Sequence, residues 1–288
     1  MKIMKEIYVT LNDKNNYRLN YMDWGNKNAK NTLVCVHGLT RNSRDFDYLA
    51  KELSTNHDYR VICPDMPGRG NSQYLPDYKL YNYENYCLAI VSLFDQLDLK
   101  NFDYLGTSMG ALIAMHLGQI RTNLFNKLIF NDAGIFIPRE ALIRIARYIS
   151  SYPKFKDLAH AKAHLKVKLA NFGIILEEDW DYITMHSTRL NSDGDLILDY
   201  DLHISDGLSL LNEEYIKDLD YSPFWPKLTF KKMLIIHGIN SDLLQQPTIT
   251  KMIESKNNIS LLEFANTGHA PALMDKEQLK QVIDWLVE

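Results

Sequence analysis

A serine with a glycine two residues away on either side, in Gly106-Thr107-Ser108-Met109-Gly110, lies where an apolar strand pattern gives way at once to an apolar helical one. A strand that turns directly into a helix holds the junction residue in a strained backbone and lifts its hydroxyl above the sheet edge. Side chains at 106 and 110 would collide with neighbouring backbone, so both positions favour glycine. The first N–H groups of the helix then point at any negative charge that forms beside Ser108. This is the setting of a nucleophile for acyl transfer.

A serine hydroxyl needs a base to take its proton at neutral pH. Of the nine histidines, His269 is the candidate, in the loop Ala265-Asn266-Thr267-Gly268-His269-Ala270-Pro271 between the last strand pattern and the last helix. Loops at the carboxyl ends of parallel strands are where such sheets place reactive groups. The imidazole in turn needs an acid. Asp242 is the expected one: it follows the strand Lys232 to Ile236 and gives the chain order serine, aspartate, histidine that goes with such a turn. Its rival is Asp132, in Asn131-Asp132-Ala133-Gly134, read as a turn-capping or supporting group. Two backbone N–H groups, of Met109 and of Leu39 in His37-Gly38-Leu39, are the expected oxyanion donors. His37 reads as a strand-end histidine that shapes this loop.

The elements that must position these groups alternate. Ile7 to Leu11 and Tyr17 to Trp24 read as a hairpin joined by a polar turn at 12–16. Strands follow at Thr32 to Val36, Tyr59 to Cys63, Phe102 to Leu105 and Lys127 to Asn131, with helices around Phe46 to Leu53, Asn82 to Leu97 and Met109 to Arg121 between them. That rhythm means a parallel sheet built from crossover units. From Ile135 to Trp225 the periods turn mostly helical, and then strands Lys232 to Ile236 and Ile259 to Phe264 alternate with helices Pro247 to Ser255 and Lys276 to Val287. A sheet pattern that stops and resumes indicates an inserted lobe.

Composition narrows the function classes. The 288 residues are 46% hydrophobic and 24% charged, which excludes a disordered chain, a collagen-like repeat and a coiled coil. Lys+Arg 32 against Asp+Glu 36 gives a formal charge of -4, where a nucleic-acid binder usually carries a basic domain. No apolar run is long enough to span a membrane, and the N-terminus lacks a signal-peptide pattern, so a cytoplasmic protein with no membrane partner is expected. Cys35, Cys63 and Cys87 are too few and too scattered for a disulfide framework or a zinc site. Gly68-Arg69-Gly70 lacks the third glycine of a dinucleotide loop and reads as a turn that Arg69 holds. No cofactor and no metal are expected, only a small-molecule substrate. Oligomeric state is not legible.

In order along the chain, Val36-His37-Gly38, the run Cys63-Pro64-Asp65-Met66-Pro67-Gly68-Arg69-Gly70-Asn71-Ser72, the Ser108 turn, Asn131-Asp132, the Asp242 loop and Gly268-His269 resemble the α/β-hydrolase fold superfamily. The chain is most similar to its capped bacterial esterases, carbon–carbon bond hydrolases and lactonases. The resemblance covers nearly the whole chain. It implies an α/β fold with a mostly parallel eight-stranded sheet flanked by helices, a core of residues 1–134 and 226–288, and a helical cap of residues 135–225 inserted after the sixth strand. It implies a serine hydrolase acting on a small carboxylic ester, thioester or lactone. The alternatives are a carbon–carbon bond hydrolase of a diketone-type substrate and a ligand receptor without turnover. Dehalogenase and epoxide-hydrolase relatives use an aspartate nucleophile, and Ser108 argues against both activities.

Arg41, Phe136 and Trp180 are the candidate substrate contacts, with Tyr148, Phe172 and Tyr182 as further aromatics able to line an apolar pocket. A solvated turn and helix cap is an equally open reading of Arg41 and Asn42. The lobe begins basic (Arg139, Arg144, Arg147, Lys154, Lys156, Lys162, Lys166, Lys168) and ends acidic (Glu177, Glu178, Asp179, Asp181, Asp193, Asp195, Asp199, Asp201). The basic part could steer a carboxylated or phosphorylated substrate; exposed faces of amphipathic helices are the simpler reading.

Overall fold

In the computed structural model, which describes residues 2–11, 15–206 and 213–288, the strand patterns from both ends of the chain meet in one sheet. Its strands are β1 (Lys2–Leu11), β2 (Asn15–Trp24), β3 (Asn31–Val36), β4 (Tyr59–Pro64), β5 (Phe102–Thr107), β6 (Phe125–Asn131), β7 (Lys232–Gly238) and β8 (Ile259–Phe264). They lie in the order β1-β2-β4-β3-β5-β6-β7-β8. β1 and β2 form an antiparallel hairpin, and β2 meets β4 antiparallel; the remaining neighbours are parallel. The hairpin strands run further than their apolar residues suggest, because backbone pairing continues from Lys2↔Trp24 to Leu11↔Asn15. The turn expected at 12–16 lies partly outside the described residues.

The continuous apolar runs of β3 to β7 follow from burial on both faces. Val34, Ile62, Tyr104, Phe130 and Ile235 face one hydrophobic layer together with α2 (Tyr83–Gln96), α3 (Met109–Ile120) and α7 (Gln246–Ser255). Their neighbours Leu33, Val61, Leu105, Ile129 and Leu234 face the other, with α1 (Asp47–Asn56) and α8 (Lys276–Val287). Each fully buried aliphatic side chain of this kind contributes about 1.5–3 kcal/mol. The three cysteines are free and buried, as small apolar residues of these layers. No helix among the described residues is long and apolar enough to cross a membrane.

Between β6 and β7 the chain leaves the sheet. Phe136–Ile137 pairs antiparallel with Leu219–Asp220 at the base of this excursion. Within it lie α4 (Arg139–Ile149), α5 (Leu158–Lys168), α6 (Glu177–Ser187) and an antiparallel pair, Thr188–Leu190 with Leu196–Leu198. Phe155, Leu165, Trp180, Ile183, Leu198 and Tyr200 form its hydrophobic cluster, which Met274 joins from the loop before α8. Polar contacts tie it to the loop after β3: Arg41 donates to Ser187 Oγ at 2.6 Å, and Asn42 donates to the His186 carbonyl at 2.6 Å.

Candidate active site

Ser108 occupies the single residue between β5 and α3, with φ 51° and ψ -112°. A side chain held at positive φ outside its usual wells is strained, and the surroundings must impose it. Here they do. A Cβ at 110 would fall 2.1 Å from the Val36 carbonyl oxygen, and one at 106 would fall 2.4 Å from the Ala111 nitrogen. Only glycine lets β3, β5 and α3 close on the turn. The Ser108 N–H is held by the Asn131 carbonyl at 3.0 Å.

His269 leans over this edge from the loop after β8, and its Nε2 lies 2.9 Å from Ser108 Oγ. Contacts of its backbone pin the loop. Asn131 donates to the Pro271 carbonyl at 2.9 Å, and Gly268 N–H donates to the Asn171 carbonyl at 2.7 Å. The other ring nitrogen, Nδ1, lies 2.7 Å from Asp132 Oδ2. Asp132 is fully buried at the end of β6. It also accepts from the Gly238 N–H at 3.0 Å and from Ser241 Oγ at 2.5 Å. The Nδ1–H of a neutral His269 donates to this carboxylate, leaving Nε2 as an acceptor facing the serine.

The acid is therefore not the one the sequence favours. Asp242 is half-exposed and forms a bidentate pair with Arg144 of α4, at 2.5 and 2.7 Å. It has no contact with His269. The reason is reach: β7 ends at Gly238, so Asp242 stands four residues out on the rim, while Asp132 is the first residue after β6. The Asp132 N–H donates to the Ile236 carbonyl at 2.8 Å, which fixes the carboxylate between the two strand ends. The sequence signal was this immediate position after a core strand. The same position also suits a turn-capping or supporting group, which is the reading the sequence favours.

The expected oxyanion donors are the N–H groups of Leu39 and Met109. Met109 is the first residue of α3, so its N–H has no partner within the helix. Around Leu39, His37 is fully buried. Its Nε2 accepts from the Met66 N–H at 2.9 Å, so its proton sits on Nδ1 and donates to the Gly38 carbonyl at 2.7 Å. Burial, opposed by that hydrogen bond and reinforced by the Arg69 and Arg41 charges, lowers the pKa of His37 to about 3. It stays neutral. Gly38 O also accepts from the Arg41 N–H at 3.2 Å. In a planar trans peptide, an oxygen held in this way sends the Leu39 N–H to the opposite side. Gly38, Leu39 and Ser108 line one cavity.

Arg69, read as the residue holding a turn, is buried completely and reaches further. Its guanidinium donates to the carbonyls of Leu39 at 2.9 Å and Pro67 at 2.7 Å and to Tyr86 Oη at 2.9 Å. It lies 3.8 Å from Met109 Sδ. It thus braces both segments that carry the expected donors.

The cavity above Ser108 holds about 100 Å³. Arg41 lines it, and so do Tyr148 and Phe172 of the excursion. Arg41 is buried and not part of a solvated turn; Asn42 caps the short turn Ser43–Phe46 through the Arg44 N–H. Phe136 and Trp180 are not among the lining residues. Phe136 is spent on the ladder with Asp220, and Trp180 turns into the excursion's hydrophobic cluster. Tyr182 instead binds Asp47.

A profile of the alpha/beta hydrolase fold matches residues 31–172. The chain is 32% identical over 270 residues to a 3-hydroxybutyrate-oligomer hydrolase of Cupriavidus necator, covering 91% of this chain and 90% of that one. A solved structure from Rickettsia typhi superposes with a TM-score of 0.90 at 37% identity, covering 99% of this chain and 98% of that one. An alpha/beta hydrolase from Novosphingobium aromaticivorans does so with a TM-score of 0.85 at 28% identity, covering 98% of both chains.

Proposed function

The chain belongs to the alpha/beta hydrolase fold family, and we propose that within it this protein is a serine hydrolase that cleaves small carboxylic esters through an acyl-enzyme. One observation carries the reading: Ser108 Oγ, His269 and the buried Asp132 form a continuous chain of contacts at 2.9 and 2.7 Å. Ser108 Oγ attacks the ester carbonyl while His269 Nε2 takes its proton. Asp132 stabilises the resulting imidazolium and holds the ring in place. The tetrahedral oxygen accepts from the Leu39 and Met109 N–H groups, each such donor being worth about 2.7–4 kcal/mol in the transition state. His269 then gives its proton to the departing alkoxide. A water deprotonated by the same imidazole releases the acid and restores Ser108.

Substrate size and class follow from the cavity and from the relatives. The cavity wall above Ser108, with Leu39, Ile145, Tyr148, Leu169 and Phe172 in it, suits a short acyl group. The relative from Cupriavidus necator acts, by its name, on oligomers of 3-hydroxybutyrate, whose ester units are short and branched. Short hydroxyacyl oligoesters are accordingly the proposed substrate class. The cap of residues 135–225 would close over them, since α4 and α5 supply Arg144, Ile145, Tyr148 and Lys168 to the cavity wall.

The test pairs the wild-type protein with Ser108→Ala on a panel of esters of increasing acyl length, together with labelling by a fluorophosphonate. The wild type should label at Ser108 and turn over the shortest esters fastest. Ser108→Ala should lose label and roughly 10⁴- to 10⁶-fold in kcat. Retained turnover by the variant in a clean preparation would refute the assignment.

A further inference from the structure

The uneven charge of the excursion largely cancels on folding. Lys162 pairs with Asp181 at 2.7 Å and with Glu177 at 3.4 Å, and Lys166 also pairs with Glu177. Lys154 pairs with Asp195 at 2.6 Å and Arg147 with Glu213 at 2.7 Å. A broad cationic field over the site therefore does not survive. Steering by the whole basic stretch is not what the fold provides.

Inside the cavity the balance is different. Three permanent cations line it, Arg41, Arg144 and Lys168, with Asp45 as the carboxylate among them. Arg41 is saturated by Asp45, at 2.5 Å, and by Ser187. Arg144 is taken by Asp242. Among the described residues, Lys168 has no ion-pair partner. It ends α5, and its ammonium lies over the face of Tyr148, 5.4 Å from the ring centre. The Tyr148 hydroxyl lies 3.4 Å from Thr40 Oγ1, next to Leu39. A ring face holds a cation weakly, and it leaves the ammonium free to take an anion from the cavity side. The other two lysines of α5, Lys162 and Lys166, are matched by carboxylates of α6; this one lines the cavity where substrate must sit.

We propose that Lys168 is the specificity-determining residue for acidic esters, binding a carboxylate that the substrate carries away from the carbonyl Ser108 attacks. The inference rests on the serine-esterase reading and names the feature that would distinguish its substrates: a short hydroxyacid oligoester with a free terminal carboxyl group, as opposed to a neutral ester of the same length. One charge on the substrate meets one unpaired charge in the wall. Discrimination then lies mostly in binding and not in the chemical step.

The experiment compares the linear dimer of 3-hydroxybutyrate with its terminal N-methylamide, which removes the charge and keeps the scissile ester. Released 3-hydroxybutyrate is measured for wild type, Lys168→Met and Lys168→Arg at low and high salt. In wild type the acid should have the higher kcat/KM, with the preference shrinking as salt rises. In Lys168→Met the ratio of kcat/KM for acid to amide should fall about tenfold, mainly through KM, and Lys168→Arg should restore most of it. Equal losses on both substrates would make Lys168 a packing residue on Tyr148 and overturn the proposal, as would an unchanged ratio. Cleavage of p-nitrophenyl acetate without cleavage of either dimer would overturn the proposal and leave the esterase reading standing. Failure on every ester, with no labelling of Ser108, would end both.

Discussion

Exchange of each candidate acid for its amide separates two readings that differ only in which loop reaches the histidine. In Asp132→Asn the three contacts of the carboxylate dictate the outcome. Oδ1 accepts from the Gly238 N–H at 3.0 Å, and an amide oxygen keeps that bond. The amide nitrogen must then take the place of Oδ2, beside His269 Nδ1 at 2.7 Å and Ser241 Oγ at 2.5 Å. Ser241 Oγ already accepts from the Leu243 and Leu244 N–H groups, at 3.2 and 3.1 Å, so its hydroxyl loses its acceptor and the variant should be somewhat less stable. His269 is affected more directly: Nδ1 must now accept, its proton moves to Nε2, and Nε2 can no longer take the proton of Ser108. A triad histidine held in the wrong tautomer loses about 10⁴-fold in kcat, equivalent to about 5 kcal/mol of barrier. Asp242→Asn breaks only a half-exposed pair with Arg144, an interaction of about 0–1 kcal/mol, and should leave kcat within about threefold. The assay is steady-state hydrolysis of p-nitrophenyl acetate, with thermal melts run alongside to show that both variants are folded. A thousandfold loss in Asp242→Asn with near-normal turnover in Asp132→Asn would refute the geometry.

Two further perturbations test the frame. Gly110→Ala places a Cβ 2.1 Å from the Val36 carbonyl, a clash with backbone that cannot swing away. The variant should lose about 3 kcal/mol or more, read as a lower denaturant midpoint, and an unchanged midpoint would contradict the packing argument. Asp199, where the excursion meets the core, has its pKa raised to about 7 by burial and by the neighbouring Asp65 charge. A raised carboxyl favours the fold below its unfolded value near 4, and that contribution is lost as pH rises through about 7. Melting temperatures should therefore fall for wild type relative to Asp199→Asn between pH 4 and 8, and parallel pH curves for the two proteins would refute this.

The parts legible from the sequence are those that local geometry fixes. A strand that becomes a helix in one residue demands glycine at 106 and 110 whatever lies around it, so Ser108 could be found without the fold. The parallel sheet was legible because burial on both faces writes itself as continuous apolar runs in β3 to β7. The choice of acid was not, because β6 and β7 are neighbours and both end beneath His269. Which carboxylate arrives depends on how far each loop travels beyond its last ladder bond. Helical spacing says only that some of the excursion's aromatics are buried, not which ones or on which side; Trp180 went into the cluster that Met274 joins from outside. The charge runs read most simply as exposed helix faces, and α5 and α6, packed side by side, pair those faces with each other.

Arg69 marks the deeper limit. A fully buried guanidinium is rare, so from sequence Gly68-Arg69-Gly70 reads as no more than a turn that Arg69 holds. In the fold no carboxylate meets the Arg69 guanidinium through a hydrogen bond or ion pair among the described residues; its partners are two carbonyls, the Tyr86 hydroxyl, Met109 Sδ and the rings of Tyr81 and Tyr86. Such a group is expensive to bury, and the arrangement is stable only if every donor is met, so the carbonyls it binds are locked with it. One belongs to Leu39. On the other side of that residue His37, kept neutral, locks the Gly38 carbonyl. The two peptides flanking Leu39 are thus held by two buried side chains, one charged and one not. A loop held at both peptides keeps its N–H direction when an oxyanion forms beside it, and a donor that need not reorganise is what makes transition-state stabilisation large.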